Sequence, residues 1–364
     1  MKTTVRTQRR NGQKPRRRRA RSTARLSPAY STALGTMYEG KCEAVLKSLP
    51  VRKERGKVQL VLTSPPFVLN RKKKYGNLEG KQYVKWIASL AEYLKQYVAP
   101  HGSIVIELGN AWEPGQPTMS TLAMEALLAL KKRGKFYLCQ EFICFNPARL
   151  PSPAQWVNVE RCRVKDSFTR IWWLSPSPRP KADNRRVLVQ YSDSMRSLLR
   201  RGTYNSGPRP SEHNIGAESF LTDNGGAIPP NVLIPAPTDI ANDIATALGP
   251  IDLLSIANTA ASDAYQKFCR KIGIPPHPAR MPHKLADFFI EMLTDPGDLV
   301  LDPFGGSNTT GFSAEKLGRR WIAIEADANY VFGSRARFPT LTVDNTTPPV
   351  PAVGAPANAL SVTA

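Results

Sequence analysis

Short apolar runs alternate with stretches of helical periodicity along most of the chain. Residues 58–62 form one such run and lead straight into Thr63-Ser64-Pro65-Pro66-Phe67. A short apolar run that ends in polar and rigid residues reads as a buried strand entering a loop. Before it, Val45, Leu46 and Leu49 suit a short helix over 42–49. After it, Trp86, Ile87, Leu90, Leu94 and Val98 recur at helical spacing over 83–98. A second strand is expected over 104–108. A helix follows over 120–132, with Ser120 as N-cap, Lys131, Lys132 and Arg133 near its end and Gly134 closing it. Strands over 136–145 and 171–174 complete this half. Periodicity fades and then returns at Pro282, which suits the first helical position. Leu285, Phe288, Phe289, Met292 and Leu293 mark one face of that helix. A short strand at 299–301, a glycine-rich turn, a helix from near Thr309 and a strand at 321–324 follow. Strands that alternate with helices predict an α/β fold with a mostly parallel, Rossmann-like sheet and helices on both faces.

Three stretches lack this pattern, and composition explains them. Residues 1–25 hold 11 Lys or Arg and no acid. They account for half of the net charge of +22 and leave +11 on the other 339 residues, so the body is basic too. A polyanionic partner is implied, and nucleic acid is the commonest. Arg16 to Arg19 cluster without apolar spacing, which reads as a disordered basic arm over 1–35. Residues 175–238 are rich in Pro, Gly, Asn and Arg. Helical spacing is faint over 240–275, where Ile240, Ile244 and Leu248 recur. Arginines and amides interleaved in loops suit base-edge reading, so 175–275 is expected to be a loop-rich target-recognition region. Residues 339–364 are almost uncharged and are expected to be disordered. The domain reading is therefore 1–35, 36–174, 175–275, 276–338 and 339–364.

The five cysteines are spread without a C-x-x-C pair and read as reduced thiols. The four histidines have no metal-like spacing with them, so no metal is expected. No run of 18 apolar residues is present, so no membrane partner is expected. These features together predict a cytoplasmic protein.

The chemistry sits at two strand ends. Pro65 and Pro66 fix φ and remove two backbone donors. Their carbonyls and the Ser64 hydroxyl remain able to accept hydrogen bonds, and Phe67 offers a flat face. A small pocket for a planar group bearing an NH2 has this form, and so does an ordinary strand end with a stiff turn. Far along the chain comes Asp302-Pro303-Phe304-Gly305-Gly306-Ser307-Asn308-Thr309-Thr310. Strand, glycine-rich turn, helix, strand and acid is the nucleotide-binding order. Glu325 lies 19 residues after Gly306 and can accept from both ribose hydroxyls. The turn lacks G-x-G-x-x-G, and Asp302 at its start disfavours a pyrophosphate. It favours a cofactor with a cationic amino-acid end.

The Asp302 to Thr310 stretch resembles the S-adenosylmethionine motif of amino-methylating DNA methyltransferases, and Thr63 to Phe67 resembles their catalytic motif. The order, catalytic motif first, is that of the beta class. The Ser-Pro-Pro-Phe form is similar to N4-cytosine enzymes of restriction–modification systems. The resemblance extends through 145–153 and covers roughly 36–335. It implies a seven-stranded methyltransferase sheet and S-adenosyl-L-methionine as cofactor. Double-stranded DNA would be the partner, a restriction endonuclease the functional counterpart, and a base flipped into the site the substrate. It assigns Ser64, Pro65, Pro66 and Phe67 to catalysis. Asp302, Phe304, Gly305, Gly306, Ser307, Asn308, Thr309 and Glu325 fall to the cofactor. The basic loop with Arg71, Lys72, Lys73 and Lys74 falls to DNA phosphates. Two positions depart from the family pattern. Asn308 stands where glycine is usual, and Asn tolerates a left-handed backbone better than most residues. Lys41 stands after Gly40 where an acid is usual, and Lys cannot accept a hydrogen bond. N6-adenine methylation and a non-catalytic DNA-binding role are the alternatives to N4-cytosine methylation.

Overall fold

The computed structural model describes residues 26–67, 80–146, 149–233 and 263–341. Strand β1 (Tyr30–Ser31) pairs antiparallel with β2 (Gly35–Glu39). This lies inside the 1–35 stretch expected to be disordered. Side-chain bonds explain the difference. The Tyr30 hydroxyl lies 2.7 Å from Ser334 Oγ and accepts from Asn308 Nδ2 at 2.9 Å. The Tyr30 ring packs on Trp321 and Phe338. All these partners are some 300 residues away, so no local pattern announces the strand.

Two short helices follow, α1 (Cys42–Val45) and α2 (Leu49–Arg52). Pro50 falls in the first turn of the second, so the single helix expected over 42–49 is split. Strand β3 (Val58–Thr63) is buried at all six positions, the polar Gln59 and Thr63 included, as a central parallel strand requires. Helix α3 (Gly80–Tyr97) buries Tyr83, Ile87, Leu90, Ala91 and Leu94, one face at helical spacing. Strand β4 (Val98–Leu108) lies parallel to β3. Helix α4 (Leu122–Gly134) packs against α3. Its N-cap position is Thr121, not Ser120, although Ser120 Oγ accepts from the Leu122 amide. Lys135, beyond Gly134, takes the left-handed C-cap. Strands β5 (Tyr137–Phe145) and β6 (Phe168–Ser175) form an antiparallel pair, and β6 also runs antiparallel to β4.

The 175–275 stretch contributes helix α5 (Asp193–Arg201), the strands β7 (Gly207–Pro208), β8 (Asn214–Ile215) and β9 (Val232–Leu233), and helix α6 (Ala264–Lys271). Most of the described remainder is loop, as composition foretold. The helical spacing read at 240–248 falls outside the described residues.

Helix α7 (His283–Leu293) has Pro282 as its N-cap, one place before the position expected. Strand β10 (Leu299–Asp302) is wholly buried. Helix α8 (Thr309–Lys316), strand β11 (Arg320–Glu325) and helix α9 (Ala328–Ser334) complete the chain described.

Among the described residues the main sheet has nine strands, where seven were expected, in the order β1-β2-β11-β10-β3-β4-β6-β5-β9. The β1–β2 hairpin and the two-residue β9 enlarge it. β2, β11, β10, β3 and β4 are parallel. Alternation splits the core across the sheet. Val61, Ile104 and Ile106 face α3 and α4, while Leu60, Leu62, Val105 and Val300 face α7. The connection from β10 through α8 leads to one side of the sheet. That from β3 through α3 leads to the other. β10 and β3 are therefore neighbours at which the winding reverses, and ligands bind beyond the carboxyl ends of such a pair. Among the described residues, no helix is long and apolar enough to cross a membrane.

Candidate active site

Both motifs lie at that reversal. Ser64 follows the last residue of β3, and the glycine-rich turn follows the last residue of β10. A buried carboxylate ties them. Asp302 Oδ1 accepts from Thr63 Oγ1 at 2.8 Å and from the Phe304 amide at 3.1 Å. Asp302 Oδ2 accepts from Thr310 Oγ1 at 2.8 Å. Burial pushes the Asp302 carboxyl up to about 6, against these three donors, which lower it. Asp302 is a brace between the strands and is not among the residues lining the cavity beside it.

That cavity has a volume of about 520 Å³. Ser64, Pro65, Pro66 and Phe67 form one wall, and Phe304 and Glu325 another. A Cβ on Gly109 would meet the Phe67 ring at 2.9 Å, so a glycine there lets the ring lie against the end of β4. Glu325 Oε2 accepts from the Gly306 amide and Oε1 from the Asp327 amide, both at 2.8 Å. Burial nevertheless pushes the Glu325 carboxyl upward.

The rest of the predicted cofactor set builds the turn and does not line the cavity. The Gly305 amide donates to Ile324 O at 2.7 Å. Gly306 adopts φ +51° beneath the His277 ring, a conformation natural to glycine. Asn308 is fully buried with φ 55°, the left-handed backbone foreseen for it. Its Oδ1 accepts from the Gly311 amide at 3.1 Å and so caps α8. Ser307 Oγ lies 3.4 Å from Thr309 Oγ1, and both residues are buried. The buried Arg337 donates to Ser307 O and Oγ, and pairs with Asp263 at 3.1 Å. Arg71, Lys72, Lys73 and Lys74 lie outside the described residues.

The structure adds wall residues that sequence reading missed. Tyr83, Trp86, Glu43, His277 and Tyr330 all line the cavity. Trp86 Nε1 donates to Glu43 Oε1 at 2.9 Å, and its ring stands edge-on to Phe304 at 5.6 Å. His277 meets Tyr330 edge-on at 4.6 Å. Trp86 sits on the apolar stripe of α3, and its periodicity gave only a core reading. Lys41 lines the cavity as well, but its carbonyl is engaged by the amides of Ala44 and Val45 at the start of α1. Glu43, two residues on, brings an acid to this wall.

Among the described residues, no cluster of His, Cys, Asp and Glu could hold a metal ion. The cysteines carry free thiols. The site instead offers aromatic faces, carboxylates and positioned backbone groups around a cleft of ligand size.

Comparison with known proteins shows what the chain is similar to. The DNA methylase family profile matches residues 58–334. The type II methyltransferase M.PvuII of Proteus hauseri is 43% identical over 313 residues, 85% of this chain and 85% of that protein. The type II methyltransferase M2.DpnII of Streptococcus pneumoniae is 45% identical over a shorter stretch of 62 residues, 17% of this chain and 23% of that one. The solved structure of PvuII DNA methyltransferase (cytosine-N4-specific) superposes with a TM-score of 0.65 at 36% identity, covering 87% of this chain and 91% of that one. With the profile spanning both motifs and the identity sustained along most of its length, this chain belongs to the DNA methylase family.

Proposed function

We propose that the protein transfers a methyl group from S-adenosyl-L-methionine to the exocyclic N4 of a cytosine flipped out of double-stranded DNA. One observation carries the reading. The Thr63–Asp302 bond locks Ser64-Pro65-Pro66-Phe67 against the 520 Å³ cavity beside the glycine-rich turn. The similarity to a cytosine-N4-specific enzyme selects the base.

The cavity suits that cofactor by the chemistry of its donor set. Glu325 supplies acceptors for ribose hydroxyls. Tyr83, Trp86 and Phe304 supply faces for an adenine, and Glu43 and Asp327 add negative charge for a cationic ligand. Among the described lining residues Lys41 is the one Lys or Arg, which disfavours a phosphate ligand. When bound, S-adenosyl-L-methionine supplies an electrophilic methyl group on a sulfonium.

The protein's part is positioning. The lone pair of a cytosine amine is conjugated into its ring and is a poor nucleophile. Ser64 Oγ and the Pro65 carbonyl accept the two amine hydrogens, which localises the lone pair on nitrogen. The two prolines keep those acceptors rigid, and Phe67 stacks on the base. Transfer by direct displacement then depends on alignment and electrostatics. Extruding the base costs a few kcal/mol, offset by phosphate contacts from Arg71 to Lys74 and the basic arm. Residues 175–275 read the target sequence. The protein works in the cytoplasm on nucleoid DNA, paired with a restriction endonuclease of the same specificity.

Ser64→Ala tests the reading. Methylation should fall by one to three orders of magnitude, the effect of one positioned polar group. Nucleoside digests of DNA methylated by the wild type should contain N4-methylcytosine. Unchanged turnover in the variant, or N6-methyladenine in the digest, overturns it.

A further inference from the structure

A second cavity, of about 170 Å³, opens on the other side of Ser64 and Phe67. Ser64, Phe67 and Ala279 line both cavities. An amine held at Ser64 therefore has the cofactor cavity on one side and room for its own ring on the other. Past Ala279 the chain follows the second cavity as Arg280, Met281 and Pro282. The charged residues among its described walls are Glu107, Arg149 and Arg280.

A buried frame fixes Arg280. Its Nη1 donates to Asp263 Oδ2 at 3.1 Å, and its side chain is 17% exposed. Asp263 is the N-cap of α6, where Oδ1 accepts from the Gln266 amide at 2.8 Å. Its Oδ2 also pairs with Arg337 at 3.1 Å, and Arg337 holds the Ser307 carbonyl and hydroxyl in the glycine-rich turn. One carboxylate thus serves two guanidinium groups, so this ion pair does not balance both charges. Burial opposes ionisation of Asp263, but His283, the Gln266 amide, Arg337 and Arg280 hold its carboxyl down at about 2. It stays anionic and keeps Arg280 in place. A guanidinium carries five N–H donors and no acceptor, so the group it recognises in the cavity is an acceptor.

A flipped base is read along its pairing edge. Beside the N4 amine, cytosine presents acceptors at N3 and then O2. Adenine presents N1 beside its amine and then a C–H. Thymine has no amine. Acceptors at Ser64 and Pro65 therefore reject thymine but treat the cytosine and adenine amines alike. We propose that Arg280 is a specificity-determining residue whose guanidinium donates to O2 of the flipped cytosine and so favours it over adenine. This deepens, and rests on, the function proposed above. With adenine the cationic donor meets a C–H, and a buried charged donor set against an apolar group is costly. Asp263 acts behind Arg280 as a positioning residue.

The test compares single-turnover methylation of two duplexes bearing the target site mapped in DNA from an expressing host. One carries cytosine at the target position, and the other a 2-aminopyridine nucleoside, which keeps the amine and ring nitrogen but has C–H in place of the O2 carbonyl. Wild type should be about 10- to 100-fold slower on the analogue. Arg280→Met should lose about that factor on cytosine, and its rates on the two duplexes should agree within about 2-fold. Arg280→Lys should recover part of the preference, and Arg149→Met, whose native guanidinium donates to Phe168 O at 3.1 Å, should keep all of it. A purely structural role slows both duplexes equally, so a wild-type preference in Arg280→Met overturns the assignment. So does a wild type indifferent to O2, or a preference that vanishes in Arg149→Met instead. Should Arg280→Met not fold, Arg280→Lys decides, and a full wild-type preference there refutes the reading. If wild type yields N6-methyladenine from its natural site, the function proposed above falls instead.

Discussion

Asp302 ties the two halves of the site together, and its buried carboxyl makes a quantitative prediction. Its ordinary value is 3.8, and in the fold burial lifts it to about 6. A carboxyl whose folded value is raised binds its proton more tightly when folded. The protonated form therefore contributes stability below about pH 3.8, and that contribution is lost as pH rises toward about 6. At about 1.4 kcal/mol per tenfold change, the whole effect approaches 3 kcal/mol. Asp302→Asn removes the titration. It also alters the bond to Thr310 Oγ1, whose hydroxyl must turn round to meet an amide. That loss shifts the variant by a constant, whereas the proton linkage gives a slope. Urea unfolding of wild type and variant between about pH 4.5 and 7.5 separates the two. The variant should gain about 2 kcal/mol on wild type as pH rises across that window. A difference that stays flat, or a relative loss at high pH, refutes the assignment of a raised, buried carboxyl.

The other predictions concern the frame of the turn and the cofactor wall. Asn308→Ala removes the cap to the Gly311 amide and the bond to the Tyr30 hydroxyl. It should cost about 2–4 kcal/mol in chemical unfolding, and Asn308→Gly should cost about 1 kcal/mol less because the backbone is left-handed; alanine at least as stable as glycine would refute this. Gly35→Ala places a Cβ 2.1 Å from the buried Trp321 ring. A loss of about 2 kcal/mol or more is expected by thermal melting, with a changed tryptophan signal in near-ultraviolet dichroism. Glu325→Gln should weaken S-adenosyl-L-methionine binding about tenfold by calorimetry, through lost charge-assisted bonds, and an unaltered affinity would remove Glu325 from the cofactor wall.

Much was legible in the sequence because it is a local property. Six apolar-rich residues in β3 cannot face water on either side, so the run alone calls for a central strand. The stripe on α3 and that on α7 likewise call for helices, since 3.6-residue spacing puts those side chains on one face. Proline chemistry marked Ser64 and the acid after the last strand marked Glu325, and both line the same cavity. Asn308 was legible too, as a residue able to take a left-handed turn.

Only the tertiary structure decided the rest, because it depends on which distant residues meet. Asp302 and Thr63 are separated by 239 positions, and only the parallel pairing of β10 with β3 sets them 2.8 Å apart. Asp302, Ser307, Asn308 and Thr309 look like ligand contacts in a motif. Packing turns them inward, where they hold the turn instead of lining the cavity. Trp86 reverses that lesson, since a residue on a core stripe proves to be a wall of the site. Tyr30 gave no periodic signal, because its bonds to Asn308 and Ser334 lie at the far end of the chain.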